Sequence, residues 1–177
     1  MNTEEQIKIS INHKAYQDAF VIIFEYYYDR IYKFVRWKVS SKENAEDIVS
    51  ETFYRTLKSL NRFDTSKNFN NWIYTIARNL ITDHYRKSND FNQEIFDVEA
   101  EDPDDNLKTI EIRALLKQAL SGLDPETKDL VIFKYILGYS VKEISRIVEL
   151  PEKTVYTKIS RSVKKMGKLM NYDTDRN

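Results

Sequence analysis

The sequence predicts an all-α protein with two helical domains joined by an acidic flexible linker. Three observations support this prediction. Apolar residues recur at helical spacing on both sides of an acidic stretch. The chain of 177 residues has only three Gly and three Pro, which is few for the many turns of a β-sandwich or barrel. The stretch 88–106 holds eight acids and no base. We expect no strands.

Charge divides the chain into three parts. Lys and Arg balance Asp and Glu at 28 each, so the net charge indicates no partner. The acidic stretch 88–106 contains Pro103 and shows no helical period, as expected of a linker. The flanking parts each carry more bases than acids. The predicted division is therefore a helical domain over 1–87, a linker over 88–106 and a second helical domain over 107–177.

Composition argues against several classes of function. There is no Cys, which excludes disulfides and thiolate chemistry and favours a reducing compartment. His13 and His84 have no metal-ligand spacing, and three Gly form no phosphate-binding loop. We therefore expect no metal, no cofactor and no enzyme. The polar N-terminus does not resemble a signal peptide, and no run of about 18 apolar residues occurs. We expect a cytoplasmic protein without membrane insertion.

Four helices are predicted in the first domain. The first two carry one apolar series with a break near Tyr28: Phe20, Ile23, Phe24, Tyr27, Ile31, Tyr32, Val35 and Val39. The third begins at Ser41, a capping residue, and its stripe consists of Ala45, Ile48, Val49, Thr52, Phe53, Thr56, Leu57 and Leu60. A polar loop over 61–68 precedes the fourth helix, which extends from Phe69 to Tyr85.

Capping signals organise the second domain, which begins with a helix near residue 107. Asp124 followed by Pro125 marks the start of the next helix, and Gly138 marks its end. Ser140 and Glu143 form a capping box for a short third helix.

The final helix has a basic outer face. Pro151 prevents a continuous helix through Leu150 but suits the first turn of a new one. Its inner stripe is predicted to be Val155, Ile159, Val163 and Met166. This arrangement is a helix-turn-helix, whose second helix fits the major groove of DNA. The expected DNA contacts are Lys153, Thr154, Tyr156, Thr157, Lys158, Arg161, Lys164 and Lys165. The alternative is that a Lys-rich face is merely solvated, but the capped helix and the Pro-marked turn favour DNA.

Two stretches resemble bacterial extracytoplasmic-function (ECF) sigma factors of the sigma-70 family. The pieces that resemble region 2 are Ala45-Glu46-Asp47-Ile48-Val49, Glu51-Thr52-Phe53, Trp72-Ile73-Tyr74, Ile76-Ala77-Arg78-Asn79, Asp83 and Arg86. Those that resemble region 4 are Glu143-Ile144, Thr154-Val155 and Ser160-Arg161. Departures occur where the family often has Gln (Ser50), a small residue (Ser145) or Gly (Glu149 and Lys153). A positive φ in a turn costs less conformational free energy for Gly than for Glu.

The resemblance implies a transcription initiation factor whose partners are core RNA polymerase, promoter DNA and an anti-sigma factor. The implied polymerase-binding residues on the third helix are Asp47, Glu51, Glu46 and Arg55. Asp47 and Glu51 share a helix face because they are four residues apart. The alternative is that these acids only solvate the helix and favour its dipole.

The resemblance also implies contacts with the −10 element by Phe63, Asn79, Trp72, Arg78, Arg86 and Lys87. Phe63 and Asn79 align with family positions that hold an extruded base, and Tyr74 and Phe69 are further aromatic candidates. For Trp72, core packing is an equal alternative, whereas Phe63 in a polar loop is less easily explained as core. The linker would run through the polymerase cleft; the alternative is a solvated tether.

Other classes of function remain as alternatives. A stand-alone helix-turn-helix DNA-binding regulator would explain the second domain but not the pattern of the first. Binding to core polymerase discriminates between the two. An adaptor that only sequesters an anti-sigma factor would not need the aromatic and basic residues of the −10 segment.

Overall fold

The computed structural model describes residues 1–88 and 107–174, and every regular element in these two ranges is helical. The all-α prediction is confirmed. The predicted linker lies outside the described residues except for Ser88. The described chain separates into two compact units, the first formed by the helices before the linker and the second by most of the residues after it.

The first unit contains four α-helices. They are α1 (Thr3–Asn12), α2 (Tyr16–Arg36), α3 (Lys42–Ser59) and α4 (Phe69–Ser88), with a 3-10 turn (Leu60–Arg62) after α3. Helices α1, α3 and α4 all contact α2. The buried residues of α2 recur at intervals of about one turn, which forms the stripe Ala19, Ile23, Tyr27, Ile31 and Phe34. This stripe is the centre of the first core.

The beginning of the chain differs from the prediction. Helix α1 was not predicted, although Asn2 and Glu5 cap it reciprocally and Ile7 and Ile11 are buried. The predicted break near Tyr28 is wrong, because α2 continues without interruption from Tyr16 to Arg36. No Gly or Pro interrupts this segment, and the half-exposed aromatic rings along one side of α2 contact each other at intervals of one turn.

Helix α3 begins where the sequence predicts. The Ser41 hydroxyl accepts a hydrogen bond from the backbone N–H of Asn44 at 3.1 Å. The predicted stripe is buried apart from Leu57, which is 46% exposed. Leu57 was wrongly assigned because it lies at the edge of the buried face, next to Phe53 and away from Thr52 and Thr56.

The described residues after the linker form four α-helices and one π-helical segment. They are α5 (Leu107–Ser121), α6 (Pro125–Val131), a π-helical segment (Ile132–Ile136), α7 (Val141–Val148) and α8 (Glu152–Thr174). Asp124 caps α6 by accepting the Thr127 N–H at 3.0 Å, and hydrogen bonds from the Thr127 side chain and backbone lower the pKa of Asp124. Ser140 and Glu143 form the predicted capping box, and Gly138 has the positive φ, 74°, that ends the preceding segment.

The turn between α7 and α8 is closed by two hydrogen bonds between the same two residues. The Leu150 N–H donates to the Ser145 carbonyl at 3.1 Å, and the Ser145 hydroxyl donates to the Leu150 carbonyl at 2.5 Å. Glu149 adopts φ 55°, the left-handed region that the family's Gly at this position suggests. The turn is therefore held in place by Ser145 although its strained residue is not Gly.

The buried stripe of α8 differs from the prediction at one position. The buried residues are Val155, Ile159, Ser162 and Met166, whereas Val163 is 41% exposed. The predicted steps of four, four and three residues give way to steps of four, three and four, which follow a straight helix more closely.

Replacing Glu149 by Gly is expected to raise the free energy of unfolding by about 0.5–1 kcal/mol, by relieving the turn between α7 and α8. A left-handed conformation costs an L-residue roughly 1–2 kcal/mol, and the greater unfolded-state entropy of Gly offsets part of the gain. Denaturant unfolding of the parent and of Glu149→Gly measures the difference. Glu149→Ala is the control, because it removes the charge but keeps Cβ. Equal stabilisation by both variants would contradict the backbone explanation.

Candidate functional site

The outer face of α3 presents acids in two different states. Asp47 is exposed, and within the described part of the chain no hydrogen bond or ion pair engages its carboxylate. The Glu51 side chain is 41% exposed, and its carboxylate accepts from Arg55 Nε at 2.7 Å. Asp47 is therefore ready to pair with an incoming cation, whereas Glu51 must first give up or share Arg55.

Two charged residues flank Asp47 around the α3 axis. At about 100° per residue, Glu46 lies to one side of Asp47 and Arg55 to the other. Both are exposed, and Glu46 Oε1 lies 3.8 Å from Lys42 Nζ. The structure thus places all four predicted polymerase-binding residues on the solvent-facing side of one helix.

Phe63 is a packed residue of the first unit. Its side chain is 8% exposed, and its ring centroid lies 4.8 Å from that of Trp72 and 5.2 Å from that of Phe69. The expectation that Phe63 is less easily explained as core is wrong, because its ring packs against the first turn of α4. Trp72 packs in this cluster and is still partly exposed.

Two further aromatic candidates are unavailable for base stacking. Tyr74 and Phe69 are fully buried. The Tyr74 ring lies 5.2 Å from the Phe34 ring, and the Phe69 ring lies 5.6 Å from the Tyr27 ring. Both residues were misassigned as stacking candidates because their side chains face α2, which the local sequence does not reveal.

The outer side of α4 carries the remaining candidates for the −10 element. Trp72, Asn79 and Arg86 are spaced by seven residues and so follow nearly one line, with about 10 Å between successive positions. Asn79 is exposed, and its side-chain amide forms no hydrogen bond within the described residues. Arg86 is exposed and pairs with Asp83 at 3.0 Å.

The two other basic candidates of α4 lie on either side of this line. Arg78 is partly exposed and Lys87 is exposed. The structure therefore gives α4 an accessible polar stripe beside the partly exposed Trp72.

The support beneath this stripe was missed by sequence reasoning. Side chains of α1 reach the loop and the start of α4: Glu4 accepts from the Phe69 N–H at 2.9 Å, and Asn12 accepts from the Thr65 hydroxyl at 2.9 Å. The capping pattern of Asn2 and Glu5 could have revealed α1 itself. No local signal indicates that Glu4 contacts a helix that begins 65 residues later.

The exposed face of α8 carries bases without protein partners. Lys153, Arg161 and Lys164 are exposed, and none of them pairs with an acid among the described residues. With Thr157 they occupy an arc of roughly 80° around the helix axis, and Thr154 borders it. This arc is the surface that can meet an anion without breaking an existing contact.

The other predicted contacts of α8 lie on its flanks. Lys158 Nζ lies 3.4 Å from Glu126 Oε2, and Lys165 Nζ donates to the Gly122 carbonyl at 2.6 Å. Tyr156, on the opposite flank, is 65% exposed. Lys158 and Lys165 therefore help to hold α8 against the start of α6 and the turn before it.

Within the described residues, every helix is too short or too polar to cross a membrane.

Family models match both units in chain order. Residues 23–91 match the model described as Sigma-70 region 2, and residues 113–166 match the model described as Sigma-70, region 4. The first match spans α3, the loop and α4, and the second ends within α8.

Curated relatives of the chain carry the same description. The chain is similar to the ECF RNA polymerase sigma factor BldN of Streptomyces coelicolor, at 32% identity over 88% of this chain and 62% of that protein. It is also similar to the ECF RNA polymerase sigma factor SigW of Bacillus subtilis, at 30% identity over 84% of this chain and 87% of that protein. The chain thus spans less than two thirds of the first relative and most of the second.

Solved structures share the fold. CnrH in complex with the cytosolic domain of CnrY superposes with a TM-score of 0.73 at 20% identity, over 97% of this chain and 99% of that chain. The sigma factor RpoE of Bartonella quintana, in complex with the anti-sigma factor NepR, gives a TM-score of 0.62 at 20% identity, over 85% of this chain and 95% of that chain.

Phe63→Ala is expected to lower the free energy of unfolding of the first unit by about 3 kcal/mol, because it removes a buried ring from an aromatic cluster. Phe63→Leu, which keeps much of the volume, should lose less. Chemical denaturation followed by circular dichroism measures both losses. Tyr54→Ala is the matched control, since Tyr54 is 55% exposed and surface substitutions usually change stability by less than about 0.5 kcal/mol. Equal losses at Phe63 and Tyr54 would contradict the packing role.

Proposed function

The chain belongs to the ECF sigma factors of the sigma-70 family, and we propose that it binds core RNA polymerase, recognises the −10 and −35 elements of a promoter and helps to melt it. One observation carries the proposal. The two parts that match the family models expose groups of opposite charge that a partner can reach: the acids Asp47 and Glu51 on α3, and the bases Lys153, Arg161 and Lys164 on α8. One chain can therefore bind a basic protein surface with one unit and DNA with the other.

The first unit is proposed to bind the polymerase through the outer face of α3. Asp47 has no competing partner among the described residues, so it is proposed as the principal ion-pairing residue. Glu51 exchanges its contact with Arg55 for one with the polymerase. Glu46 and Arg55 border the contact on its two sides.

The same unit is proposed to hold the −10 element along α4. An extruded base costs a few kcal/mol to unstack, and stacking on an aromatic ring returns about 1–3 kcal/mol. The partly exposed Trp72 supplies the accessible ring, and Phe63 forms the packed wall behind it. Asn79 offers an amide to a base edge, while Arg78, Arg86 and Lys87 are proposed to contact phosphates.

The second unit is proposed to insert α8 into the major groove at the −35 element. Its first turns carry Lys153, Thr154 and Thr157, the positions that a recognition helix directs towards base edges. Arg161 and Lys164 continue the same face and meet the backbone. Tyr156, Lys158 and Lys165 border this contact. Lys158 and Lys165 already have partners in the protein and are therefore proposed to contribute less to DNA binding than Arg161 and Lys164.

We also propose that residues 1–87 and 107–177 form the two functional domains and that residues 88–106 link them. The chain works in the cytoplasm with RNA polymerase as a transcription factor rather than as an enzyme. Solved structures of two similar chains are complexes with the cytosolic domain of CnrY and with the anti-sigma factor NepR. We propose that an anti-sigma factor likewise regulates this chain.

Replacing Asp47 and Glu51 together by Lys is expected to reduce capture of core polymerase at least tenfold. Like charges across an interface cost several kcal/mol. The fold should be retained, because exposed charges contribute little to stability. A pull-down with purified core enzyme, beside a circular-dichroism melt, measures both effects.

The matched control reverses the charge of two acidic residues on another helix of the same unit. Glu25 and Asp29 on α2 are exposed and also four residues apart, so their double Lys variant makes the same change in net charge. Equal loss of binding in the two double variants would refute a docking face on α3. If the parent chain does not bind core polymerase, a stand-alone DNA-binding regulator replaces the proposal.

The face of α8 is tested by the salt dependence of promoter binding. Lys164→Ala is expected to reduce the slope of log affinity against log salt by about 1, because one phosphate contact is lost. Arg161→Ala should weaken binding as well. Lys165→Ala is the control, since its ammonium group already binds the Gly122 carbonyl and should change the slope less. Affinity of the complex with core polymerase for promoter duplex, titrated with salt, gives the slopes; equal changes at Lys164 and Lys165 would contradict the proposed face.

A further inference from the structure

We propose that Glu4 is a positioning residue for promoter melting, which it serves by fixing the start of α4 and the loop that precedes it. The inference rests on the proposed function, because the loop over 61–68 and α4 carry the proposed −10 contacts. Glu4 itself is not proposed to touch DNA.

The Glu4 carboxylate lies at the start of two helices. It occupies the first turn of α1, and its Oε1 atom accepts the backbone N–H of Phe69, the first residue of α4, at 2.9 Å. Lys8 Nζ lies 3.0 Å from the same oxygen. A carboxylate is favourable at the positive end of a helix and satisfies an N–H group that has no partner within the helix.

The second carboxylate oxygen connects Glu4 with the two Asn residues around this helix start. Oε2 accepts from the side-chain amide of Asn70 at 3.2 Å and from that of Asn68 at 3.5 Å. Asn68 caps α4 by accepting the Asn71 N–H at 2.8 Å, and Asn70 accepts the Tyr27 hydroxyl at 3.0 Å. Glu4 thus joins α1 to residues that are also tied to α2.

The loop before α4 has few other attachments. Within residues 61–68 only Phe63 is buried. The Thr65 hydroxyl donates to Asn12 Oδ1 at 2.9 Å. The loop and the start of α4 are therefore attached to both ends of α1, through Glu4 in its first turn and Asn12 at its last residue. The loop can therefore shift if these polar contacts are lost, even while the hydrophobic core persists.

The core contact of α1 does not depend on Glu4. Ile7 and Ile11 are buried, and α1 packs on α2. Glu4→Ala should consequently leave a folded protein in which α4 begins less rigidly. The distinguishing consequence is a loss of promoter opening without an equal loss of binding to polymerase or to the −35 element.

The experiment uses full-length variants with purified core polymerase. Glu4→Ala is expected to slow open-complex formation about tenfold, as for the loss of one strong capping interaction. Glu4→Gln should fall between Ala and the parent, because one oxygen can still accept the Phe69 N–H. Affinity for core polymerase and for duplex DNA with the −35 element should stay within twofold of the parent value.

Base preference provides a readout that a general loss of stability would not change. On a template already unpaired at the −10 element, the parent should discriminate strongly against substitution of the extruded base, and Glu4→Ala should discriminate less. Asn12→Ala, which removes the second tether, should shift opening in the same direction as Glu4→Ala. It also keeps the test valid if Glu4→Ala does not fold.

Ser41→Ala is the matched control for stability. It removes a cap of comparable size at the start of α3, away from the loop, and should open promoters at the parent rate. The inference is overturned if Glu4→Ala opens and discriminates like the parent, or if Ser41→Ala is equally impaired. If the parent forms no open complex with core polymerase, the proposed function itself fails and the inference fails with it.

Discussion

The buried stripe of α2 is the contact on which the first unit depends. Helices α1, α3 and α4 all contact α2, so the direction of each outer face is set by what its inner face meets there. Tyr27 shows the consequence most directly. Its ring packs on Phe69 at 5.6 Å, and its hydroxyl donates to Asn70 at 3.0 Å, so one buried residue fixes the start of α4 through both apolar and polar contacts. The proposed promoter-contacting stripe of α4 therefore has its origin in a core residue of α2.

The positions of charged residues on particular helix faces tell more about binding than the net charge of the chain does. The chain is neutral overall, yet α3 presents an unpaired Asp47 and α8 presents unpaired Lys153, Arg161 and Lys164 within the described residues. Two other cations of α8 have partners in the protein, Lys158 in the Glu126 carboxylate and Lys165 in the Gly122 carbonyl. The number of bases in the sequence of α8 is therefore larger than the number that can contact phosphates without first breaking a contact within the protein. The charges that remain unpaired are those that face away from the core, which is where a partner can reach them.

Local signals allowed much of the fold to be predicted, and the failures have a common cause. Ser41, Asp124 and the Ser140–Glu143 box act within a few residues of themselves, so their helix starts could be predicted and are confirmed. The burial of Phe63 depends on Phe69 and Trp72, at spacings that match no regular period. The contact of Glu4 with Phe69 spans 65 residues. The family resemblance supplied candidate site residues that the helical pattern alone could not select. It did not show which of those side chains are buried in the core.

The turn before α8 shows how one geometry can be reached by different means. The family commonly places Gly in this turn, which adopts positive φ without steric cost. Here Glu149 holds φ 55° although its Cβ disfavours that region. A strained backbone persists only where surrounding contacts over-determine it. The paired hydrogen bonds between Ser145 and Leu150, together with the burial of Ile144 and Val155 on either side, provide those contacts. The direction in which α8 leaves the turn is therefore fixed by Ser145 and by packing. The same contacts fix the orientation of the exposed face of α8 that is proposed to bind DNA.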